Sequence, residues 1–188
     1  MLMVYLDRDT AWLLGVIQGD GYVGRYFVEI SEAYEENLAV VASVISRLGY
    51  RAVLRKDPRE RRYRLWVNSA AFARFIRECG LLDKRRVPAV IRDELVIPYV
   101  QGLYDAEGYV EFWKPRRLLR VNFAYKYFDI VKFVVNLLSN YGIRPYVRFS
   151  SRVYRVQVYR KRDAVKFFEV IGFRYPTKSS FSSYLALT

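Results

Sequence analysis

Apolar residues follow two rhythms along this chain. In "ENLAVVASVISRLG", Leu38, Val41, Ile45 and Leu48 are spaced three and four apart, one stripe of a helix, and "FDIVKFVVNLLSNYG" from Phe128 reads the same way. Elsewhere the alternation is strict. In "RPYVRFS", Arg144, Tyr146, Arg148 and Ser150 share a face, and Pro145, Val147 and Phe149 share the other. In "YRVQVY", Arg155, Gln157 and Tyr159 oppose Tyr154, Val156 and Val158. Period two predicts strands near 50–56, 62–68, 144–150 and 153–159, and hairpins around Val23–Ser31 and Val110–Lys114 with Leu118–Ala124. Thr10 is the expected N-cap of a short helix from Ala11 to Gly19, and Pro98 the expected first residue of a second one. Gly21 and Gly108 suit the left-handed position just past a helix end.

These elements occur twice in one order, α-β-β-α-β-β-α. "LLGVIQGDGYV" (Leu13–Val23) matches "YVQGLYDAEGYV" (Tyr99–Val110): Gly15 with Gly102, Asp20 with Glu107, and Gly-Tyr-Val after each acid, all 87 residues apart. "RLGYRAVLR" from Arg47 then matches "NYGIRPYVR" from Asn140, "YRLWVN" from Tyr63 matches "YRVQVY" from Tyr154, and Phe75–Gly80 matches Phe167–Gly172. The offsets drift only by small insertions, one near "KPRR" at Lys114–Arg117. The pattern predicts an α+β protein of two pseudo-symmetric halves, residues 1–97 and 98–188, built on antiparallel sheets.

Composition narrows the chemistry. The chain has 188 residues, no histidine and one cysteine, so histidine-based zinc sites, Ser-His or Cys-His catalysis and a disulfide framework are excluded. Catalysis would fall to Asp, Glu, Lys, Tyr, Ser or a metal held by oxygen. No apolar run reaches the ~18 residues of a membrane span, and "MLMVYLDRDT" lacks the flank of a signal peptide. The expected setting is intracellular, cytoplasmic or organellar, not secreted. The net charge of +13 points to a polyanionic partner.

Two features demand explanation. Gly15 and Gly19 lie four apart on one helix face, as do Gly102 and Ala106. Small residues at that spacing let two helix backbones approach closely, so the two short helices are expected to pack together at the interface of the halves. Asp20 and Glu107 then fall side by side at helix C-termini, where partial negative charge and free carbonyls disfavour a carboxylate unless a cation is present. Two carboxylates with terminal carbonyls suit Mg²⁺. Gly19–Gly24 also satisfies G-x-G-x-x-G, but helix precedes strand here, the reverse of a dinucleotide fingerprint.

The pair "LLGVIQGDG" and "VQGLYDAEG" resembles the doubled motif of LAGLIDADG homing endonucleases in their single-chain, two-motif form. The resemblance spans nearly the whole chain. It implies saddle-shaped sheets straddling DNA, with the two motif helices at the interface. It further implies that Asp20 and Glu107 bind divalent metal (Mg²⁺, with Mn²⁺ or Ca²⁺ as substitutes), helped by the carbonyls of Gly19 and Ala106, and that cleavage leaves four-base 3′ overhangs. Family members place a lysine beside the site. "NFAYKYFD" supplies Lys126, whose partner by the 93-residue offset is Ala33, so an asymmetric site with one basic residue is expected. A solvated helix start would carry a lysine there as well.

The alternating strands supply a reading face. Arg51, Arg55, Arg62, Arg64, Trp66 and Asn68 in the first half, and Arg144, Tyr146, Arg148, Arg155, Gln157 and Tyr159 in the second, share the polar parity. From Arg144 to Arg162 there are seven basic residues and no acid, with Arg160, Lys161 and Arg162 at the strand's end as phosphate contacts. Arg25, Glu29, Arg120 and Asn122 are further candidates on the hairpins. The resemblance implies double-stranded DNA with a long, largely non-palindromic site as the partner and family members encoded in introns or inteins; a monomer is expected, since both halves are present in one chain. The alternatives are a catalytically inactive maturase or RNA-binding protein using the same basic sheets, and a structural nucleic-acid binder without site specificity.

Overall fold

A computed structural model describes residues 6–113 and 118–187, with backbone only for Trp113 and 185–187. The first half runs α1 (Arg8–Asp20), β1 (Gly21–Val23), β2 (Val28–Glu32), α2 (Glu35–Arg47), β3 (Val53–Asp57), β4 (Arg62–Val67) and α3 (Ala70–Glu78). A linker with one 3₁₀ turn (Asp93–Leu95) leads into α4 (Val96–Glu107), β5 (Gly108–Trp113), β6 (Leu118–Tyr125), α5 (Phe128–Asn140), β7 (Tyr146–Ser150), β8 (Val153–Val158) and α6 (Lys161–Val170). A short α7 (Pro176–Ser179) and 3₁₀ turns (Ser180–Leu187) follow. The insertion expected at Lys114–Arg117 lies outside the described residues.

Each half holds one antiparallel four-stranded sheet, in the orders β1-β2-β4-β3 and β5-β6-β8-β7. The registers repeat: Gly21 pairs with Ile30 and Ile30 with Leu65, as Gly108 pairs with Phe123 and Phe123 with Val156. Period two buries one face of the inner strands, whereas on the edge strand β7 Val147 and Phe149, of the apolar parity, stay exposed. Val28, Ile30, Leu65 and Val67 enter the core of one half, and Val121, Phe123, Val156 and Val158 that of the other.

The motif helices cross at the centre, and their spacing explains the glycines. A Cβ on Gly15 would stand 2.1 Å from the Tyr99 carbonyl oxygen, one on Gly102 would stand 2.0 Å from that of Trp12, and one on Gly19 would stand 2.4 Å from the Ala106 Cβ. Backbone therefore touches backbone. The rest of α1 is buried on all sides, from Thr10 to Gln18.

Local details differ from expectation. The cap of α1 is Asp7, not Thr10: its carboxylate accepts from the Thr10 amide and hydroxyl, both at 2.7 Å, and the helix starts two residues before Thr10. Pro98 is the third residue of α4, still within the first turn, where amides have no intrahelical partner. Gly21 and Gly108 are extended (φ −88° and −92°), not left-handed; they are needed because a Cβ would meet the carbonyl oxygens of Ile17 and Tyr104 at 2.5 Å. The left-handed glycines are Gly49, Gly80, Gly142 and Gly172, after α2, α3, α5 and α6.

Candidate active site

Asp20 is the last residue of α1 and Glu107 the last of α4, so the close helix pair delivers both carboxylates to one place. Burial pushes the Asp20 carboxyl up to about 8, and the negative charges of Glu107 and Glu32 add to the rise. Burial also raises Glu107. Two ammonium groups oppose both shifts, those of Lys84 and Lys178.

These lysines were not anticipated from the sequence. Lys84 lies in the linker after α3, and its Nζ donates to the Gly19 carbonyl at 3.0 Å. Lys178 lies in α7, after α6, and its Nζ donates to the carbonyls of Asp105 and Tyr104. They are thus counterparts, one per half, each closing the C-terminus of a motif helix. The only signal for them was positional: each follows the third helix of its repeat, α3 or α6, and the two are 94 residues apart. The expectation of a single basic residue beside the acids is corrected to two.

Lys126 is exposed, with Nζ 5.6 Å from the centre of the Tyr127 ring. It lines a cavity of about 230 Å³ together with Gly19, Lys84, Glu107 and Tyr125. It therefore stands at the rim of the site, and its counterpart Ala33 is exposed. Glu32 occupies the register position of Tyr125, so a third acid stands on one side where a tyrosine stands on the other.

The donor set fits a divalent cation. Two raised carboxyls side by side are relieved by positive charge, and the ammonium groups already sit on helix-end carbonyls as a cation would. Among the described residues no third acidic side chain completes a cluster, so Asp20 and Glu107, with the carbonyls of Gly19 and Ala106, would supply the protein's share of ligands. The two helix ends differ in where the lysines sit: Lys84 takes the Gly19 carbonyl itself, whereas Lys178 seats on the carbonyls of Asp105 and Tyr104, one and two residues before Ala106.

The polar sheet faces hold most of the nominated contacts. Arg25, Arg51, Arg55, Arg62, Asn68, Arg144, Tyr146, Arg148 and Tyr159 are exposed. Arg120 is half-buried on β6. Others are already engaged within the protein. Arg64 pairs with Glu29, Asp57 and Glu60, each at 3.0 Å, and Trp66 Nε1 donates to Glu29 at 3.0 Å. Gln157 donates to the buried Asn122 at 2.8 Å, and Arg155 Nε to the Ser150 hydroxyl at 3.3 Å. Arg160, Lys161 and Arg162 do not continue a strand: Arg160 is the N-cap of α6 and the other two lie in its first turn.

Comparison with known proteins decides the family. A profile of the LAGLIDADG-like domain matches residues 7–80 and 94–172, once per half. The chain belongs to the LAGLIDADG-like domain family. The single-chain homing endonuclease I-DmoI, in a complex with DNA and Mn, superposes with a TM-score of 0.63 at 24% identity, over 88% of this chain and 96% of that one. Its complex with DNA and Ca gives 0.64 over 96% of both chains. Full-length DUF199/WhiA from Thermatoga maritima gives 0.69 at 11% identity, over 99% of this chain and 62% of that one. The LAGLIDADG architecture is therefore shared across very different sequences. Among curated proteins, the DNA-directed RNA polymerase subunit Rpo1C of Methanocaldococcus jannaschii is 24% identical over 183 residues, which is 94% of this chain. The chain spans only 21% of that protein's length.

Proposed function

We propose that this chain is a site-specific, divalent-metal-dependent endonuclease that cuts double-stranded DNA as a monomer. One observation carries the reading: two matched acids, both raised by burial and Asp20 further by the charge of Glu107, meet at the ends of abutting helices with one lysine on each side. A binding module has no use for buried carboxylates held at such a cost. The basic sheet faces on either side suit a duplex laid across both halves, and I-DmoI, which shares the fold, forms complexes with DNA.

In this reading Asp20 and Glu107, with the carbonyls of Gly19 and Ala106, would hold Mg²⁺. The ion would supply Lewis-acid stabilisation of charge on the scissile phosphate and a lowered pKa for an attacking water. Lys84 and Lys178 add positive charge beside the two phosphates, and Lys126 does so at the rim. The sheet residues fix register, so that one phosphate of each strand lies over the acids.

The test is a plasmid carrying the DNA that the coding sequence would interrupt, incubated with protein and Mg²⁺. Linear product with four-base 3′ overhangs, lost with chelator, is expected. Asp20→Asn and Glu107→Gln should each abolish double-strand cutting while leaving binding intact. Robust cutting by the double variant sinks the proposal. Tight binding of structured RNA with no cutting of any DNA favours the maturase-like reading.

A further inference from the structure

Two residues before each acid stands a fully buried polar side chain, Gln18 in α1 and Asp105 in α4. They occupy the same place in the repeat and do opposite chemistry. Gln18 Nε2 donates to two carbonyls, those of Lys84 at 3.2 Å and Arg86 at 3.0 Å. The Asp105 carboxylate accepts from two amides, those of Arg174 at 3.1 Å and Tyr175 at 3.0 Å. One is a donor fork on C=O groups and the other an acceptor fork on N–H groups. Each is secured by an aromatic side chain from the opposite helix: Tyr99 hydroxyl to Gln18 Oε1 and Trp12 Nε1 to Asp105 Oδ2, both at 2.7 Å. Trp12 and Tyr99 are themselves 87 residues apart.

What the forks grip is informative. Gln18 holds the linker that carries Lys84, and Asp105 holds the segment that leads into Lys178. We propose that Gln18 and Asp105 are positioning residues, each placing one lysine and, on the endonuclease reading above, each thereby setting the cutting rate of one DNA strand. A buried polar fork is costly unless every atom is satisfied, so packing alone would favour an apolar residue at both places. The forks cannot exchange roles without loss, because a carboxylate repels the carbonyls that Gln18 holds, and an amide offers one acceptor oxygen where Asp105 accepts with both. One lysine closes each motif helix, and a duplex laid across both halves presents one strand to each, which gives each lysine one strand.

The experiment has two arms on the full chain. In the first, the DNA-free protein is treated briefly with an amine-acylating ester and modification at Lys84 and Lys178 is read by mass spectrometry. Gln18→Glu should raise modification of Lys84 several-fold and leave Lys178 unchanged; Asp105→Asn should do the reverse. Gln18→Met and Tyr99→Phe cover the case in which the charged variant fails to fold. Tyr99→Phe is the sharper of these, since it lies in the second half yet should expose Lys84 of the first. In the second arm, a strand-labelled cognate duplex is cut: each variant should slow one strand about 10–100-fold, a different strand for each fork, while the other keeps its rate. Equal responses of both lysines to each variant, or none, overturn the proposal. A wild type that cuts no DNA refutes the endonuclease reading, and the acylation arm still decides the forks.

Discussion

Asp20 shows how a single residue can couple folding to protons and, on the proposed endonuclease reading, to metal. Its carboxyl lies at about 8 in the folded chain against an ordinary value of 3.8. The folded state therefore binds this proton more tightly than the unfolded one. The sign follows: the contribution of Asp20 favours folding most below about pH 4, declines as pH rises through the window to about 8, and is then level. In thermal melts without divalent metal, Asp20→Asn should raise the Tm at pH 8 and leave it nearly unchanged at pH 4. Added Mg²⁺ should stabilise the wild type more at pH 8 than at pH 6, because binding must expel the proton. An Asp20→Asn variant less stable than wild type at pH 8 without metal would contradict this account. The carboxylate itself was legible from the repeat. Its environment was not, because Lys84 and Lys178 come from segments with no periodic pattern.

At the scale of elements, the interface of α1 and α4 is where sequence signal and packing agree most closely. Gly15 and Gly102 each face a carbonyl of the other helix near 2 Å from a would-be Cβ. Backbone cannot yield as a side-chain tip can. Gly102→Ala should therefore cost stability at the top of the roughly 1–3 kcal/mol range for overpacking, less about 1 kcal/mol regained in helix propensity. Urea unfolding measures it, and a neutral or stabilising result would mean the helices can move apart. Strand boundaries were readable within about three residues, β3 starting at Val53 rather than near 50, since the alternation is local. Helix ends were not: Asp7 outcompetes Thr10 for the cap, and the α4 start precedes Pro98, choices settled by hydrogen-bond geometry.

Across the molecule, the net charge of +13 predicts binding that weakens steeply with salt. Removing Arg160, Lys161 or Arg162, exposed at the start of α6, should flatten the log–log salt slope by about one unit each and affect all sequences alike. Arg148→Ala, on the exposed strand β7, should instead lose about 1–3 kcal/mol of discrimination at one base pair. Gln157→Ala should do the same while freeing Asn122. Arg64 should behave differently from both. With three acids around it, Arg64→Ala should lower stability and leave the salt slope nearly unchanged. Titrations on cognate and singly substituted duplexes at several salt concentrations separate the three classes. Unchanged base preference after both Arg148→Ala and Gln157→Ala would move the reading face elsewhere.

By itself, the sequence determined the duplicated plan, the strand and helix order, the small-residue contact between α1 and α4, and the pairing of Asp20 with Glu107. All of these are periodic or repeated, and such patterns survive without knowledge of the third dimension. Tertiary structure decided the rest. It brought Lys84 and Lys178 onto the helix-end carbonyls, because the buried forks of Gln18 and Asp105 bind backbone from distant segments and no local pattern encodes such a partner. It withdrew Arg64 and Asn122 into internal hydrogen bonds, since parity assigns a face but not a partner. It also made Gly21 and Gly108 steric necessities rather than left-handed turns, because the oxygen each must clear belongs to the preceding helical turn and only the bend into the next strand brings it close.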